Sequence, residues 1–183
     1  MKKGLIAKHY AKALLTYASK RGVEEAVYHN TTSLMHNFAE YPKLMTPMSS
    51  SMLSATEKEK VLITATGQNI SPEFIRFIKL VIENNREEFM PDICTAYQRL
   101  YREIKGILLI EITSAVEMTN SIKERIVTKI ADSTGLKIEA RTKVNRELIG
   151  GYTILWDTYQ WDGSVKTALK RIKKELIDIN FQK

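Results

Sequence analysis

The feature that most constrains the fold is a change of hydrophobic period at Gly106. Before this glycine, apolar side chains recur every three or four residues, which is the period of amphipathic helices. After it, residues 107–113 form a short β-branched run, and residues 136–145 alternate strictly between apolar and polar side chains. The two periods predict an α+β protein with a helical domain over residues 1–105 and a small α/β domain over residues 106–183.

Residues 1–105 carry the start and stop signals of five helices. Ser54 and Glu57 form the pattern of a capping box, and Ser71 followed by Pro72 is typical of a helix start. The stretch 42–51 contains two prolines and three serines, so it leaves room for at most a short helix. The expected helices span residues 5–20, 23–40, 54–66, 71–83 and 87–105.

Residues 106–183 predict the order strand, helix, strand, strand, helix. The alternation over 136–145 indicates a strand buried on one face, with Leu136 and Val144 at the two ends of the buried side. Leu169 and Ile172 belong to an apolar stripe on the last helix. The elements before that helix are expected at residues 107–113, 119–133, 136–145 and 152–156.

The chain is basic, with 28 Lys and Arg against 21 Asp and Glu and a formal net charge of +7. Such a balance is one signature of nucleic-acid binding, but here the excess is spread over both halves. Only residues 170–174 form a dense basic run, which fits either a solvated helix face or a site for a polyanion or acidic partner. A small basic RNA-binding protein is therefore the alternative function.

Two features of the sequence indicate the cellular compartment: its cysteine content and the charge of its N-terminal residues. Cys94 is the only cysteine, so no internal disulfide can form, which fits a reducing compartment. Lys8 and His9 interrupt the N-terminus before a signal-peptide core develops. No apolar run approaches the roughly 20 residues that cross a bilayer. We expect membrane association only through a partner.

Residue types that carry catalysis are present, but not in the patterns that chemistry requires. His9, His29 and His36 have no further ligand at a spacing typical of zinc sites. The pair Gly150-Gly151 precedes a strand, whereas a phosphate-binding loop opens a helix. We expect no catalytic residues, no metal and no cofactor, and therefore a non-catalytic protein.

Five segments, in order along nearly the whole chain, resemble one family. Helix one contains Tyr10-Ala-Lys-Ala-Leu14, and Glu83-Asn-Asn-Arg86 resembles a conserved family turn with Asn85 in place of glycine. The other segments are Thr113-Ser-Ala115, Leu148-Ile-Gly-Gly151 and Asp162-Gly-Ser-Val165. Together they resemble the delta subunit of bacterial F-type ATP synthase, whose mitochondrial counterpart is the oligomycin-sensitivity-conferring protein.

The resemblance implies an N-terminal bundle of six helices that clasps the N-terminal segment of an alpha subunit from the catalytic head. By the same resemblance, the first and fifth helices line the binding groove. The candidate partner-binding residues are Tyr10, Ala11 and Leu14 on the first helix and Phe74 and Ile78 on the fifth, which is the helix over 71–83 when the short helix in 42–51 is counted. Apolar helix positions are more often core, so both interpretations of these residues stay open.

The C-terminal domain is expected, also by resemblance, to hold the C-terminal ends of the stalk's b subunits. Gly150, Gly151, Asp162 and Ser164 match the family motif, but their residue types favour backbone and helix-capping roles. The resemblance thus implies a stator that joins the catalytic head to the peripheral stalk, so that rotary torque is coupled to ATP synthesis. It also implies a peripheral location on the cytoplasmic face of a bacterial inner membrane and no nucleic-acid partner.

Overall fold

A computed structural model of the chain describes residues 2–46 and 53–180. The chain divides into two compact units, Met1–Ile104 and Lys105–Lys183. The first unit is helical and the second contains one mixed sheet with helices, so the expected α+β class is confirmed.

Five α-helices and two short 3-10 helices form the described part of the first unit. The stretch 47–52, where part of a further short helix was expected, lies outside the described residues. A 3-10 helix over Pro42–Met45 precedes it, and another over Glu87–Phe89 leads into the last helix. The α-helices are α1 Lys2–Arg21, α2 Glu24–Glu40, α3 Ala55–Thr66, α4 Pro72–Glu83 and α5 Met90–Lys105.

Local hydrogen bonds fix the helix starts and turns that the sequence signalled. The Ser54 hydroxyl accepts from the amide of Glu57, whose carboxylate accepts from the Ser54 amide, so the predicted capping box is present. Ser71 caps α4 by accepting from the Phe74 amide at 3.3 Å. Asn85 has a φ of 53°, the left-handed geometry expected of that turn. These signals set where α3 and α4 begin and where α4 ends.

The core of the first unit holds α4 in place from one side. Phe74, Ile78 and Val81 on α4 are fully buried, and the adjacent stripe of the helix faces α1. Asn30 of α2 joins the chain entering α4, since its side chain accepts from the Ser71 amide at 3.0 Å and donates to the Asn69 carbonyl at 3.3 Å. The position of α4 is therefore fixed by apolar burial and by hydrogen bonds from Asn30 to the chain just before the helix.

The second unit is a four-stranded sheet in the order β2-β1-β3-β4. β1 is parallel to β2, while the pairs β1–β3 and β3–β4 are antiparallel. Helix α6, Asn120–Thr134, connects the two parallel strands, and α7, Val165–Asn180, follows the sheet. The strands are β1 Ile107–Ser114, β2 Lys137–Val144, β3 Tyr152–Trp156 and β4 Tyr159–Asp162.

Strand β4 was not expected from the sequence, which predicted three strands. β3 and β4 form a hairpin whose turn contains Asp157 with a φ of 50°. All four residues of β4 are exposed, so the strand buries no face and shows no apolar alternation. It is a strand only because it pairs with β3, and this pairing requires no hydrophobic pattern in the sequence of β4.

Strand β2 departs from its predicted one-sided burial at both ends. Ile138 and Ala140 pack against the core formed by Ile110, Ile112, Ile126 and Ile154. In contrast, Leu136 and Val144 remain 42% and 49% exposed. β2 is an edge strand, and Ile126 and Ile130 of α6 belong to or pack against the same core. The alternation correctly identified which face of β2 is buried, but the buried part of that face is shorter than predicted.

The glycine and capping motifs of the second unit are structural, as their residue types indicated. The Val165 amide donates to the Gly150 carbonyl at 3.0 Å, and the backbone of Gly163 lies so close to Gly151 that a Cβ there would collide with it. Ser164 caps α7 by accepting from the Thr167 amide at 3.2 Å. These residues bind the start of α7 to the sheet.

Candidate partner-binding groove

A groove of about 460 Å³ runs between α1 and α4. Its floor is apolar and partly aromatic, and its charged groups lie toward one end. It is lined by His9, Tyr10, Ala13, Leu14, Tyr17, Glu73, Arg76, Phe77 and Leu80.

Contacts across the groove show that the two helices are antiparallel. Near the N-terminal part of α1, the rings of Tyr10 and Phe77 meet edge to face with centroids 6.3 Å apart. About two turns further along α1, the Arg76 guanidinium donates to the Tyr17 hydroxyl at 3.3 Å. The Arg21–Glu73 ion pair lies beyond these contacts. The three contacts run up α1 and down α4, so the helices are antiparallel and are joined at more than one point along the groove.

The Tyr17 end of the groove is polar. The Arg21 guanidinium lies over the Tyr17 ring at 5.0 Å and pairs with the Glu73 carboxylate at 3.6 Å. The hydrogen bond with Tyr17, together with the electrostatic influence of that side chain, raises the pKa of Arg76, so the guanidinium stays charged. Tyr17 is thus held between two cations and closes this end.

The opposite end of the groove exposes apolar surface. Leu80 is 47% exposed although it belongs to the most apolar helix of the unit. Ala13 is exposed on the facing helix, and its small side chain leaves room for another backbone to approach. An apolar channel between two helices is the geometry that accepts the apolar face of an amphipathic helix.

Two of the five predicted partner-binding residues line the groove. Tyr10 and Leu14 contribute to its wall, although Leu14 is only 2% exposed. Ala11, Phe74 and Ile78 are 0% exposed and pack inside the helical unit. The structure does not bring these three to the groove surface, so they act on it only by supporting its walls.

Sequence reasoning identified none of the α4 residues that line the groove. Glu73, Arg76, Phe77 and Leu80 recur at steps of three, one and three, which is one stripe of a helix. The signal was present, but Phe74 and Ile78 belong to an equally regular stripe on the same helix. Periodicity alone does not say which of two adjacent apolar stripes faces the core.

The second unit exposes apolar side chains of its own. Val165, Leu169 and Ile172 lie at helical spacing on α7 and are 40%, 52% and 48% exposed. A separate depression of about 950 Å³ lies between α6 and the sheet, and it includes Ile122, Tyr152 and Trp161 among its lining residues. An apolar helix stripe that its own unit leaves uncovered is typical of a surface that another protein covers.

Comparison with known proteins decides the family. The sequence matches the family described as ATP synthase delta (OSCP) subunit over residues 6–176. ATP synthase subunit delta of Phocaeicola vulgatus is 34% identical over 97% of this chain and 96% of its own length. The corresponding subunit of Bacteroides fragilis is 34% identical over 98% of both chains. The chain belongs to this family.

A solved structure with the same fold supports the architecture of this delta-family chain. A chain of the Toxoplasma gondii mitochondrial ATP synthase hexamer, seen by cryo-EM, superposes with a TM-score of 0.69. It covers 93% of this chain and 97% of the other, at 18% identity. At that identity the likeness shows the fold.

As a delta-family subunit, the chain is a non-catalytic, linking component of the peripheral stalk of F-type ATP synthase. The comparisons give no support to the RNA-binding alternative. Burial raises the pKa of the Cys94 thiol to about 12, so this cysteine is not a nucleophile at neutral pH. In residues 2–46 and 53–180, no three His, Cys, Asp or Glu side chains are grouped to hold a metal ion.

Over the same described ranges, no helix is both long and apolar enough to cross a membrane.

Proposed function

We propose that this delta-family chain joins the catalytic head to the stalk through two separate surfaces. The α1/α4 groove takes the N-terminal segment of an alpha subunit, and the second unit takes the C-terminal ends of the b subunits. The observation that carries the first assignment is the apolar groove between two antiparallel helices, with Leu80 half exposed in it. The exposed stripe on α7 supports the second.

The groove suits an amphipathic segment because its two walls are largely apolar, whereas its Tyr17 end is charged. The α1 wall from Tyr10 to Tyr17 is about two turns long and faces Phe77 and Leu80, which matches anchors at steps of three and four on a bound helix. Burying the remaining exposed part of these side chains supplies the favourable free energy of binding. Rigid walls reduce the entropy lost on binding, which favours a long-lived complex.

The complex is proposed to lie on the cytoplasmic face of a bacterial inner membrane, where the head meets a proton-driven rotor. Rotation of the central stalk exerts torque on the head, and the peripheral link keeps the head from turning with it. Both surfaces must therefore stay bound under load, which requires slow dissociation.

The test of the first surface is calorimetric titration of the full chain with a synthetic peptide of the alpha subunit's N-terminal segment. Ala13→Trp fills the groove from an exposed position and is expected to weaken binding at least about tenfold, since the indole occupies the space of the partner. Ala39→Trp on the exposed face of α2 makes the same change away from the groove. No binding by the unmodified chain, or equal binding by both variants, would refute the assignment.

The second surface is tested in the same way with a peptide from the C-terminus of the b subunit. Leu169→Glu places a charge on the exposed α7 stripe and is expected to weaken binding about tenfold, because a carboxylate would have to be desolvated. Val116→Glu is the matched control, since Val116 is 72% exposed in the loop after β1. Binding that is insensitive to Leu169→Glu would exclude α7 from the stalk interface.

A further inference from the structure

A row of basic side chains borders the groove on the outer edge of α1. A shallow depression there shares His9, Ala13 and Tyr17 with the groove and adds Lys12 and Lys20. Both lysines are exposed, and among the described residues neither has an ion-pair partner. The edge of the groove over α1 is therefore positively charged and uncompensated.

Other charges around the groove do not cancel this edge. Arg21 and Arg76 lie at the closed end. Among the described residues that line the groove, the only carboxylate is Glu73, which already pairs with Arg21 at 3.6 Å. The lining and its border thus hold four cations and one carboxylate, a formal charge of +3 with His9 neutral. A partner that lies in the groove meets a field of one sign along one of its edges.

We infer that the groove selects an amphipathic helix whose edge over α1 carries acidic side chains, and that Lys12 and Lys20 determine this selectivity. The inference rests on the proposed function, because it names the chemistry of the segment that the groove takes. The two lysines are eight residues apart, which is about 12 Å along a helix at about 1.5 Å per residue. The matching acids on a parallel or antiparallel partner helix are therefore seven or eight residues apart.

The apolar floor favours a peptide over a polyanion as the occupant. Single-stranded nucleic acids bind in channels where cations follow the backbone throughout, whereas here the floor between the two walls is formed by Tyr10, Leu14 and Phe77. A helix with one apolar face and one acidic edge satisfies both the floor and the border. Since the lysines are exposed, they act mainly on the association rate and on discrimination between partners.

The test uses the full chain and two designed helical peptides with the same apolar face. One carries glutamates at positions eight apart on one edge, and the other carries glutamines there. We expect the glutamate peptide to bind about tenfold more tightly at low salt, with the difference falling to about twofold at 0.5 M salt because the exposed charges are screened. In Lys12→Glu/Lys20→Glu the preference is expected to disappear or reverse.

The matched control is Lys43→Glu/Arg99→Glu, which makes the same change in net charge at exposed positions outside the groove. Equal affinity for the two peptides, or an equal effect of both double variants, would overturn the inference. A competition result would also overturn it. In that result, a single-stranded RNA displaces the glutamate peptide from the groove, and the Lys12→Glu/Lys20→Glu variant fails to bind the same RNA.

The alpha-subunit peptide separates this inference from the proposed function. If that peptide binds while the designed pair shows no preference, the proposed function stands and the charge selectivity is wrong. If the glutamate peptide binds with the expected preference while the alpha peptide does not, the selectivity stands and the alpha assignment is wrong. Binding of none of these peptides overturns both.

Discussion

Leu80 offers a measurement that separates a docking surface from a core. It is 47% exposed, whereas Phe74 on the same helix is 0% exposed. Full burial of a leucine side chain is worth about 1.5–3 kcal/mol, so roughly 1 kcal/mol remains to be gained when a partner covers the exposed half. Leu80→Ala is therefore expected to weaken binding of the alpha-subunit peptide about fivefold.

The stability of the free chain should depend less on Leu80 than on Phe74. Leu80→Ala removes a half-buried side chain and is expected to lower the free energy of unfolding by about 1 kcal/mol. Phe74→Ala empties a fully buried position and is expected to cost about 3–5 kcal/mol, since a cavity adds to the lost transfer free energy.

The assay combines isothermal titration calorimetry for peptide affinity with urea unfolding followed by circular dichroism for stability. The ratio of the two effects carries the argument, because a docking residue changes affinity with little loss of stability. If Leu80→Ala left the affinity unchanged and cost about 3 kcal/mol or more in unfolding, Leu80 would be core and the groove would not be a docking surface.

Three further predictions concern stability. Gly151→Ala should destabilise the second unit by more than about 1 kcal/mol, because φ is 73° and a Cβ would meet the backbone of Gly163; both tryptophans lie in that unit, so fluorescence-detected urea unfolding reports it. Hydrogen bonds from the Ser164 backbone and side chain, and from Thr167, lower the pKa of Asp162. The ionised carboxylate therefore stabilises the fold above its unfolded pKa near 3.9, and this stabilisation is lost as the pH falls through the folded pKa. We expect Asp162→Asn to reduce the difference in the free energy of unfolding between pH 7 and pH 3. Glu87→Ala should cost about 3–5 kcal/mol in urea unfolding, because the Lys58 side chain, which is only 12% exposed, loses its ion-pair partner.

Each of these stability predictions has a result that would contradict it. A Gly151→Ala variant as stable as the parent would mean that the backbone relaxes at this approach. An unchanged pH dependence in Asp162→Asn would mean that other carboxylates carry it. A Glu87→Ala loss below about 1 kcal/mol would mean that water reaches the lysine in the native state.

Local signals predicted the elements whose ends are fixed by their own residues. The capping box at Ser54 and the cap at Ser71 form hydrogen bonds within four residues, so their geometry is encoded where it occurs. The close backbone approach at Gly151 and the helix cap at Ser164 were also predictable, because glycine and serine have few structural roles in such positions. The change of period at Gly106 coincides with the junction of α5 and β1.

Contacts between elements decided the features that sequence reasoning missed. Strand β4 exists because it pairs with β3, and all of its residues remain exposed. Val144 alternates correctly with its neighbours yet stays exposed, since β2 is an edge strand whose end α6 does not cover. Both results depend on contacts between elements, which the hydrophobic pattern within one strand does not report.

For the groove, the sequence by itself determined that α1 and α4 are amphipathic and that the family motif lies on α1 at Tyr10. Only the tertiary structure decided that Phe77 and Leu80 face the groove while Phe74 and Ile78 face the core. The physical reason is that a helix with two adjacent apolar stripes can bury either one. The antiparallel packing of α1 against α4, fixed by contacts between residues about 60 positions apart in the chain, makes the choice.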